Sequence, residues 1–387
     1  MNVPFNRPQL VGNELAYIRQ AVGGAHLSGD GQFTQRCHRW LEAQIQVSRA
    51  LLTHSCSTAL DMAAILCDVR AGDEVIMPAF AFSSTANAVV LRGATPVFVD
   101  IRPDTLNLDE RQLPAALTPR TKAVMLVHYA GVACEMEPIV RFCTEHRLDL
   151  IEDAAHALPA THHGRALGTF GRFAALSFHE TKNVISGEGG ALLVNDPADI
   201  ERAEIVREKG TDRSRFLRGE VDKYTWTDVG SSYLPSEITA AFLFAQLERA
   251  DWLTRERRSI WDRYHTALAS LEAAGLLRRP TVPAGDTISA HLYYLLLDSE
   301  ATRVDFIQAL ADDGIHAVSH YVPLDTSPAG LRFGRRVGEL PVTHDVGARL
   351  VRLPLWPGMR DEVDHVIGAV EAFFRGSVGS RPGTTPS

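Results

Sequence analysis

A lysine in a glycine-rich turn is the residue of this sequence with the clearest potential for chemistry. Lys182 follows the apolar run 173–178 and precedes Gly187, Gly189 and Gly190, which places it where a short buried strand ends. A lysine that is desolvated beside a pocket can lose its proton and attack a carbonyl carbon to form a Schiff base. The alternative is a solvated lysine in a surface turn. This motif alone favours that alternative, because most lysines are solvated, and the rest of the chain shifts the balance.

A carboxylate stands at the end of an earlier apolar run. Asp153 follows residues 148–152, which we expect to form another strand of the same sheet. A buried carboxylate at that edge could pair with a protonated pyridine nitrogen, whose positive charge would keep the carboxylate ionised. A helix cap or an internal salt bridge is the alternative role for Asp153.

Further candidates surround these two residues. Small hydroxyl residues in 55–58 precede a helical pattern, where free backbone N–H groups can hold a phosphate; ordinary N-capping is the alternative. His156 could hydrogen-bond a ring substituent, and Phe82 could stack on an aromatic ring. Structural packing is the alternative role for both, so the argument rests on the set of residues together.

The elements that must position these residues alternate along the chain. Apolar strands are predicted at 74–77, 95–100, 123–127, 148–152, 173–178 and 191–194, with helical patterns between several of them, such as 84–92, 135–146 and 200–207. This alternation predicts an α/β fold with a mostly parallel sheet covered by helices on both faces. Ligands bind beyond the carboxyl ends of such strands, where the polar segments 55–58, 78–85, 128–129, 153–156 and 177–182 fall.

The second part of the chain predicts a smaller unit. A helical pattern from 237 to about 271 marks a domain junction, and strands at 291–297, 316–320 and 349–355 with helices at 303–313 and 361–374 follow it. We predict a large domain over 1–250, a small C-terminal α/β domain over 251–375 and a disordered tail over 376–387. The long polar stretch 208–232 is expected to have a function or to lie at an interface.

Composition excludes several classes of protein. The net charge of −8 and pI near 6.0 give no general attraction for nucleic acid, and no apolar run among the 387 residues is long enough to span a bilayer. Five cysteines without a CxxC pair argue against disulfides and against a structural zinc site, so we expect reduced thiols and no metal. The N-terminal residues lack a secretory pattern, which predicts a cytoplasmic protein.

Several motifs together resemble one family. They are SFHETKN (177–183), GEGG (187–190), EDAAH (152–156), MPAFAFSSTAN (77–87) and VHYAG (127–131). In these motifs the chain is similar, over 4–374, to the nucleotide-sugar aminotransferases that depend on pyridoxal 5′-phosphate (PLP). The resemblance implies the fold type I of PLP-dependent transferases, in which a large domain with a mostly parallel seven-stranded sheet precedes a smaller C-terminal α/β domain.

The resemblance also implies roles for single residues. Lys182 would form the Schiff base with PLP and move the proton, and Asp153 would pair with the pyridine nitrogen. The remaining cofactor contacts would be stacking by Phe82, support of the ring by His156, and phosphate contacts by Cys56, Ser57 and Ser177. Ser232 stands where many members have an Asn that reaches the phosphate from the partner subunit, and its shorter hydroxyl puts a direct contact in doubt.

Finer segments, such as REKGTDRSRF (207–216) and HYVPL (320–324), resemble members that act on C4 of TDP-4-keto-6-deoxyglucose. The implied reaction moves an amino group from L-glutamate to the nucleotide sugar by a ping-pong mechanism, with PLP and its amino form PMP alternating in a homodimer with shared active sites. Candidate substrate contacts are Arg213, Arg215, Lys223, Tyr224 and His320, although the charged ones equally suit a solvated surface.

Alternatives to this reaction stay open at the level of sequence. They are amination at C3, another keto-sugar or a cyclitol as substrate, and a PLP-binding regulatory protein without turnover. A dehydratase branch of the family has His in place of the lysine, and Lys182 argues against it. The nucleotide and the axial or equatorial configuration of the product amine are likewise undetermined by sequence.

Overall fold

The computed structural model describes residues 1–378 of the chain. Residues 379–387, most of the tail predicted to be disordered, lie outside the described residues. The last helix runs over Asp361–Val378, so residues 376–378 continue it, and the predicted disorder of the tail stays a prediction. No helix in the described part is both long and apolar enough to cross a membrane.

The strands are short and spread over the whole chain. They are β1 (Arg49–Thr53), β2 (Glu74–Pro78), β3 (Thr95–Val99), β4 (Thr121–Val127), β5 (Asp149–Asp153), β6 (Thr161–His162), β7 (Arg165–Ala166), β8 (Phe173–Ser177), β9 (Gly190–Val194), β10 (Tyr293–Leu296), β11 (Arg335–Arg336) and β12 (Leu350–Leu353).

The helices fill the connections between strands. They are α1 (Glu14–Gly23), α2 (Gln32–Ile45), α3 (Cys56–Leu66), α4 (Ser83–Val90), α5 (Leu113–Ala116), α6 (Met136–His146), α7 (Ile200–Arg207), α8 (Arg213–Leu217), α9 (Glu237–Leu247), α10 (Ala250–Ala267), α11 (Ala269–Ala273), α12 (Glu300–Asp312), α13 (Pro328–Phe333), α14 (Pro341–Arg349) and α15 (Asp361–Val378). Single 3₁₀ turns occur at Glu110–Gln112, Tyr129–Gly131, Pro197–Asp199 and Leu324–Thr326.

The central sheet has the strand order β1-β9-β8-β5-β4-β2-β3-β11. Only β9 runs against its two neighbours, and every other pair that touches is parallel, so the predicted mostly parallel sheet is confirmed. The predicted number of seven strands is wrong by one. The eighth strand, β11, has two residues and comes from the C-terminal part of the chain, and so short a strand has no sequence pattern to reveal it.

Both faces of the sheet are buried, which explains why most positions of its inner strands are apolar; Glu152 in β5 is a buried exception that accepts hydrogen bonds from Gly168, Phe170 and Gly171. In β8, Phe173 and Ala175 belong to the hydrophobic cluster on one face, whereas Ala174 and Leu176 belong to the cluster on the other. Successive side chains of a strand point to opposite faces, so a strand covered on both sides has few positions for polar side chains. Most polar residues are therefore left for the strand ends.

Two predicted elements differ in the structure. The helical pattern predicted from 237 to 271 is broken, because α9 ends at Leu247 and the chain leaves helical geometry at Arg249 before α10 begins. The predicted strand 316–320 is reduced to one bridge between Val318 and Arg352. The 208–232 stretch contains the short helix α8 and isolated bridges.

The C-terminal part has its own hydrophobic cluster, formed mainly by residues of α10, α12, α15, β10 and β12. Val3 belongs to it as well, because Val3 exchanges backbone hydrogen bonds with Gly314 and His316. The first residues of the chain thus pack with the second unit, although the predicted boundary places them in the large domain. The boundary at 250/251 itself stays a prediction.

One glycine permits a close approach between the sheet and α3. Gly190 starts β9, and a Cβ atom there would lie 2.3 Å from the carbonyl carbon of Ser55 and 2.5 Å from the nitrogen of Cys56. These are backbone atoms, which cannot move away by a change of side-chain rotamer. We expect Gly190→Ala to lower the free energy of unfolding by about 1–3 kcal/mol, measured by urea unfolding.

Gly368→Ala is the matched control for this substitution. Gly368 lies in α15 with nothing near its missing Cβ, so alanine there should be neutral or stabilising by up to about 1 kcal/mol. Equal stability of the two variants would contradict the close approach at Gly190.

Candidate active site

A cavity of about 570 Å³ lies at the edge of the sheet where β1, β5 and β8 end. Residues after these strands form one wall, and residues of the C-terminal part form the other. The cavity brings together eight of the residues that the sequence analysis singled out, which are Cys56, Ser57, Phe82, Asp153, His156, Ser177, Lys182 and His320. Residues far apart in the chain thus meet at one edge, as expected for the carboxyl ends of parallel strands.

Lys182 projects from a turn that the backbone holds tightly. Its own N–H donates to the carbonyl of His179 at 2.9 Å, and Ser186 N–H closes the turn on the carbonyl of Phe178 at 2.7 Å. Burial lowers the pKa of Lys182 to about 8; the electrostatic effects of Cys56 and Asp153 oppose this shift, and nearby arginines add to it. Its Nζ has no hydrogen bond or ion pair within residues 1–378, and with this pKa the amine loses its proton more readily than a solvated lysine does.

Asp153 is the last residue of β5, and only 5% of its surface is exposed. Its Oδ2 accepts a hydrogen bond from Thr85 Oγ1 at 2.7 Å, and its Oδ1 accepts one from the N–H of Ala155 at 3.1 Å. Burial raises the pKa of Asp153, while these two hydrogen bonds and the charge of Lys182 lower it. No cation forms an ion pair with this carboxylate among the described residues, so it suits a protonated ring nitrogen of a ligand.

The first turn of α3 offers hydrogen-bond donors to the same cavity. Ser55 caps the helix, with its Oγ accepting from the N–H of Thr58 at 3.2 Å. The N–H groups of Cys56 and Ser57 donate to no protein acceptor in the described chain, and Ser57 Oγ lies 2.6 Å from Ser84 Oγ. Free amides at a helix N-terminus, beside hydroxyls, are the donor set that a phosphate needs.

Aromatic rings line the space between these groups. His156 Nδ1 accepts a hydrogen bond from the N–H of Ala130 at 3.3 Å, which assigns the ring proton to Nε2. Burial lowers the pKa of His156 well below its usual value, so the ring is neutral. Phe82 is 58% exposed, and its ring lies 6.2 Å from that of Tyr321. The amine, the carboxylate, the free amides and these rings therefore fit PLP.

His320 lies on the C-terminal side of the cavity. Its Nδ1 is 2.7 Å from the hydroxyl of Tyr129, and its ring stacks on Tyr321 with centroids 3.7 Å apart. This pairing fixes the orientation of the imidazole, and burial lowers the pKa of His320 well below its usual value. A neutral, oriented ring of this kind can exchange hydrogen bonds with a sugar hydroxyl or carbonyl.

Two arginines in the cavity wall were missed by the sequence analysis. Arg257 is buried and donates to the carbonyls of Ala290 and His291, and burial lowers its pKa to about 9. Arg352 donates to the carbonyl of Ser319 and lies over the ring of Phe5 at 4.7 Å. Neither has a carboxylate partner within 1–378, so both can attract an anionic ligand.

Other residues of the site were inside quoted motifs without a predicted role. They are Thr85, Asn183 and Tyr321. Asn183 joins the two parts of the chain, since its side chain donates to the carbonyl of Ser289 at 2.6 Å and its Oδ1 lies 3.1 Å from His291 Nδ1. Position within a motif was the only available signal for these residues.

Five predicted residues lie outside the cavity of their own chain. Lys223, Tyr224 and Ser232 are exposed, whereas Arg213 and Arg215 are half-buried and pair with glutamates of the same surface. All five belong to the 208–232 stretch. Their predicted contacts with substrate, or with a cofactor in a second subunit, stay predictions.

Comparison with known proteins assigns the family. Residues 8–371 match the model of the DegT/DnrJ/EryC1/StrS aminotransferase family. The chain is 32% identical to GDP-perosamine synthase of Caulobacter vibrioides, covering 94% of this chain and 96% of that one. It is 33% identical to dTDP-4-dehydro-2,3,6-trideoxy-D-glucose 4-aminotransferase of Saccharopolyspora spinosa, covering 82% of each.

A solved structure agrees with this assignment. Spr1654 of Streptococcus pneumoniae, in its PLP-form, superposes with a TM-score of 0.89 at 25% identity, covering 97% of this chain and 99% of that one. A PMP-form of the same protein superposes equally well. With its matching cavity, the chain belongs to the DegT/DnrJ/EryC1/StrS aminotransferase family and is a PLP-dependent sugar aminotransferase.

Proposed function

We propose that this enzyme transfers the amino group of L-glutamate to C4 of TDP-4-keto-6-deoxyglucose. The observation that carries amino transfer is the unpartnered amine of Lys182 in one cavity with the buried carboxylate of Asp153. The choice of C4 and of a TDP-sugar is supported by the motifs of the sequence and by a 4-aminotransferase of a dTDP-sugar among the relatives. GDP-perosamine synthase among the relatives makes the nucleotide the first point to test.

The residues of the cavity divide the work of holding PLP. Lys182 would form a Schiff base with its aldehyde carbon, and Asp153 would pair with its ring nitrogen. The amides of Cys56 and Ser57 and the hydroxyl of Ser177 would donate hydrogen bonds to its phosphate. Phe82 and His156 would lie against its ring. When bound, PLP supplies an electron-poor ring that stabilises negative charge on the carbon next to the transferred nitrogen.

Lys182 is suited to move protons at both substrates. An amine with a pKa of about 8 can accept a proton near neutral pH and release it again. We propose that its Nζ accepts the proton from Cα of glutamate and later delivers a proton to C4 of the sugar. One base can serve both steps because glutamate and the sugar occupy the cavity in turn.

Thr85 and Ala155 hold Asp153 ready for its role. Their hydrogen bonds fix both carboxylate oxygens and favour the ionised form against the effect of burial. An ionised Asp153 would keep a proton on the ring nitrogen, which is the condition for charge stabilisation by the ring.

Arg257 and Arg352 are the proposed contacts for anionic groups. Glutamate carries two carboxylates, and the nucleotide sugar carries a diphosphate. A buried guanidinium without an acid partner gains most from such a ligand. His320 would contact the sugar ring on the same side of the cavity.

We also propose that the active enzyme is a homodimer. The 208–232 stretch exposes Phe216, Leu217, Tyr224, Trp226 and Val229, and Trp226 is 78% exposed. Apolar exposure of this extent in one segment is typical of an interface. In such a dimer Arg213, Arg215, Lys223, Tyr224 and Ser232 would complete the cavity of the second subunit.

Desolvation of Lys182 predicts a pH-dependent cost to folding. The pKa falls from 10.5 to about 8, so in cofactor-free protein the cost is full below pH 8 and vanishes as pH rises toward 10.5. Lys182→Met should be more stable than wild type at pH 7, by on the order of 1–3 kcal/mol, and the difference should shrink by pH 10.

Urea unfolding of cofactor-free protein at several pH values measures this difference. Lys223→Met, at an exposed lysine, controls for the loss of one positive charge. A difference between wild type and Lys182→Met that is the same at pH 7 and pH 10 would mean that the amine is not desolvated.

Removing the negative charge of Asp153 should impair turnover far more than removing the Thr85 hydroxyl, which donates a hydrogen bond to it. We expect Asp153→Asn to lower kcat by about 10²–10³-fold, since charge stabilisation in the ring is lost, and Thr85→Val to lower it less. Steady-state assays with saturating PLP separate lost turnover from lost cofactor. Activity of Asp153→Asn close to wild type would refute the proposed pairing with the ring nitrogen.

The reaction is tested by following the cofactor's absorbance. L-Glutamate should convert the PLP form of the holoenzyme to the PMP form, and TDP-4-keto-6-deoxyglucose should restore it, with NMR locating the new amine at C4. The matching GDP-sugar, a 3-keto sugar and a keto-cyclitol serve as parallel acceptors. Recovery of the PLP absorbance with the GDP-sugar alone would overturn the proposed nucleotide, and an amine at C3 would overturn the proposed position. No change of absorbance with glutamate would overturn the proposed amino donor.

A further inference from the structure

A cluster of metal-binding side chains lies away from the catalytic cavity. His162 and His163 stand on the β6–β7 hairpin, and Glu137 lies in the first turn of α6. One ligand atom from each of the three lies within 4.8 Å of the other two. None of them lines the catalytic cavity, and the reaction proposed above does not use them.

His162 is held in the orientation of a metal ligand. Its side chain is 6% exposed, and its Nδ1 donates to Oδ1 of Asp286 at 2.7 Å. Its Nε2 lies 3.0 Å from Oε2 of Glu137. A carboxylate on one ring nitrogen fixes the tautomer of a metal-binding histidine and leaves the other nitrogen as the ligand. Nε2 of His162 is hydrogen-bonded to Glu137 in the structure, so a metal would bind there by taking the place of the proton between the two groups.

Asp286 provides a second observation at this cluster, a buried oxygen without a partner among the described residues. Its side chain is only 1% exposed, and its Oδ2 has no hydrogen-bond partner in the structure. A buried carboxylate with one oxygen unsatisfied is costly unless positive charge lies near it. A proton on the His162 ring, which lies between two carboxylates, supplies one positive charge, and a divalent ion bound in place of that proton would supply two.

His163 lies in the turn of the hairpin. With Gly164 it forms the two-residue turn of the hairpin, and both have positive φ, +47° and +83°, where Asn-Gly is the usual pair. Its exposed ring lies edge to face with His162, with centroids 4.4 Å apart. Gly285 makes room for it, since a Cβ there would lie 2.5 Å from His163 Nδ1.

The spacing of two of the three ligands, His162 and Glu137, suits a small tetrahedral ion. Bonds of about 2.0–2.1 Å to nitrogen and oxygen place tetrahedral ligand atoms about 3.3 Å apart. His162 Nε2 and the Glu137 oxygens are 3.0 and 3.2 Å apart, and the Glu137 side chain is 66% exposed and free to adjust. Imidazole with one carboxylate favours zinc over magnesium or calcium, which prefer oxygen ligands.

We propose that His162, His163 and Glu137 bind one Zn²⁺ ion, with Asp286 orienting His162 and water as the fourth ligand. This proposal differs from the sequence-based expectation of no metal, which was argued from the spacing of the cysteines alone. The ion would join the β6–β7 hairpin to α6 and to the segment around Asp286, where Thr161 and Thr287 already exchange backbone hydrogen bonds. Its role would be to stabilise this junction, and it is independent of the substrate assignment.

The test uses untagged, full-length holoenzyme freed of metal by chelation and desalting. Co²⁺, whose visible absorption reports tetrahedral coordination, is titrated in and then displaced by Zn²⁺. We expect one equivalent per chain, binding at least about tenfold weaker in His163→Gln and in Glu137→Gln, and about 10–100-fold weaker in Asp286→Asn. The control His316→Gln, at an exposed histidine away from the cluster, should bind as wild type does.

Thermal unfolding gives a second readout. Zn²⁺ should raise the unfolding temperature of wild type and of His316→Gln, and not that of His163→Gln or Glu137→Gln. Residues 163 and 137 are exposed, so both variants should fold and keep aminotransferase activity without metal. Absence of a Co²⁺ band in wild type, or binding by His163→Gln and Glu137→Gln as tight as wild type, would overturn the proposal.

Discussion

The active site depends on burying an amine and a carboxylate in one cavity. Desolvation lowers the pKa of Lys182 and raises the pKa of Asp153, so burial drives each group toward its neutral form, while the charge of each favours ionisation of the other. Within residues 1–378 this balance leaves a carboxylate without an ion pair and an amine without a hydrogen bond. A cofactor with an aldehyde and a basic ring nitrogen would satisfy both groups at once.

The sheet brings these groups together by the order of its strands. β5 and β8 are parallel neighbours, with Asp153 opposite Ala175, so Asp153 and the turn after Ser177 leave the sheet side by side. The antiparallel β9 then returns Gly190 beside both Ser177 and Thr53. The start of α3 follows Thr53, so the donors for phosphate reach the same cavity. The missing side chain of Gly190 is what allows that helix to begin so close.

Local pattern was enough to predict the elements that hold the site. Apolar runs ending in a polar residue identify a buried strand and the edge where it stops, which located Asp153 and Lys182. Local pattern did not predict Arg257. This residue lies in the charged run 255–258 of α10, and such a run predicts solvated side chains unless the packing of α10 is known. Arg352 lies within β12, and β11 has two residues, so neither gives a periodic signal. His162 and His163 meet Glu137 only through the pairing of the hairpin with α6, which sequence spacing does not reveal.

The arginines of the cavity and those of the 208–232 stretch would bind different anionic groups in the proposed homodimer. Arg213 pairs with Glu208 and Arg215 with Glu201 and Glu220, so part of the charge of each is already neutralised on its own surface. Arg257 and Arg352, inside the cavity, have no acid partner in the described chain. The inner pair therefore suits groups that enter the cavity fully, such as the carboxylates of glutamate. A diphosphate, which extends toward the mouth of the cavity, would meet the 208–232 stretch of the second subunit. Exchange of an acid partner for a phosphate would cost little at Arg215, whose glutamate partners are exposed, and more at Arg213, whose partner Glu208 is buried.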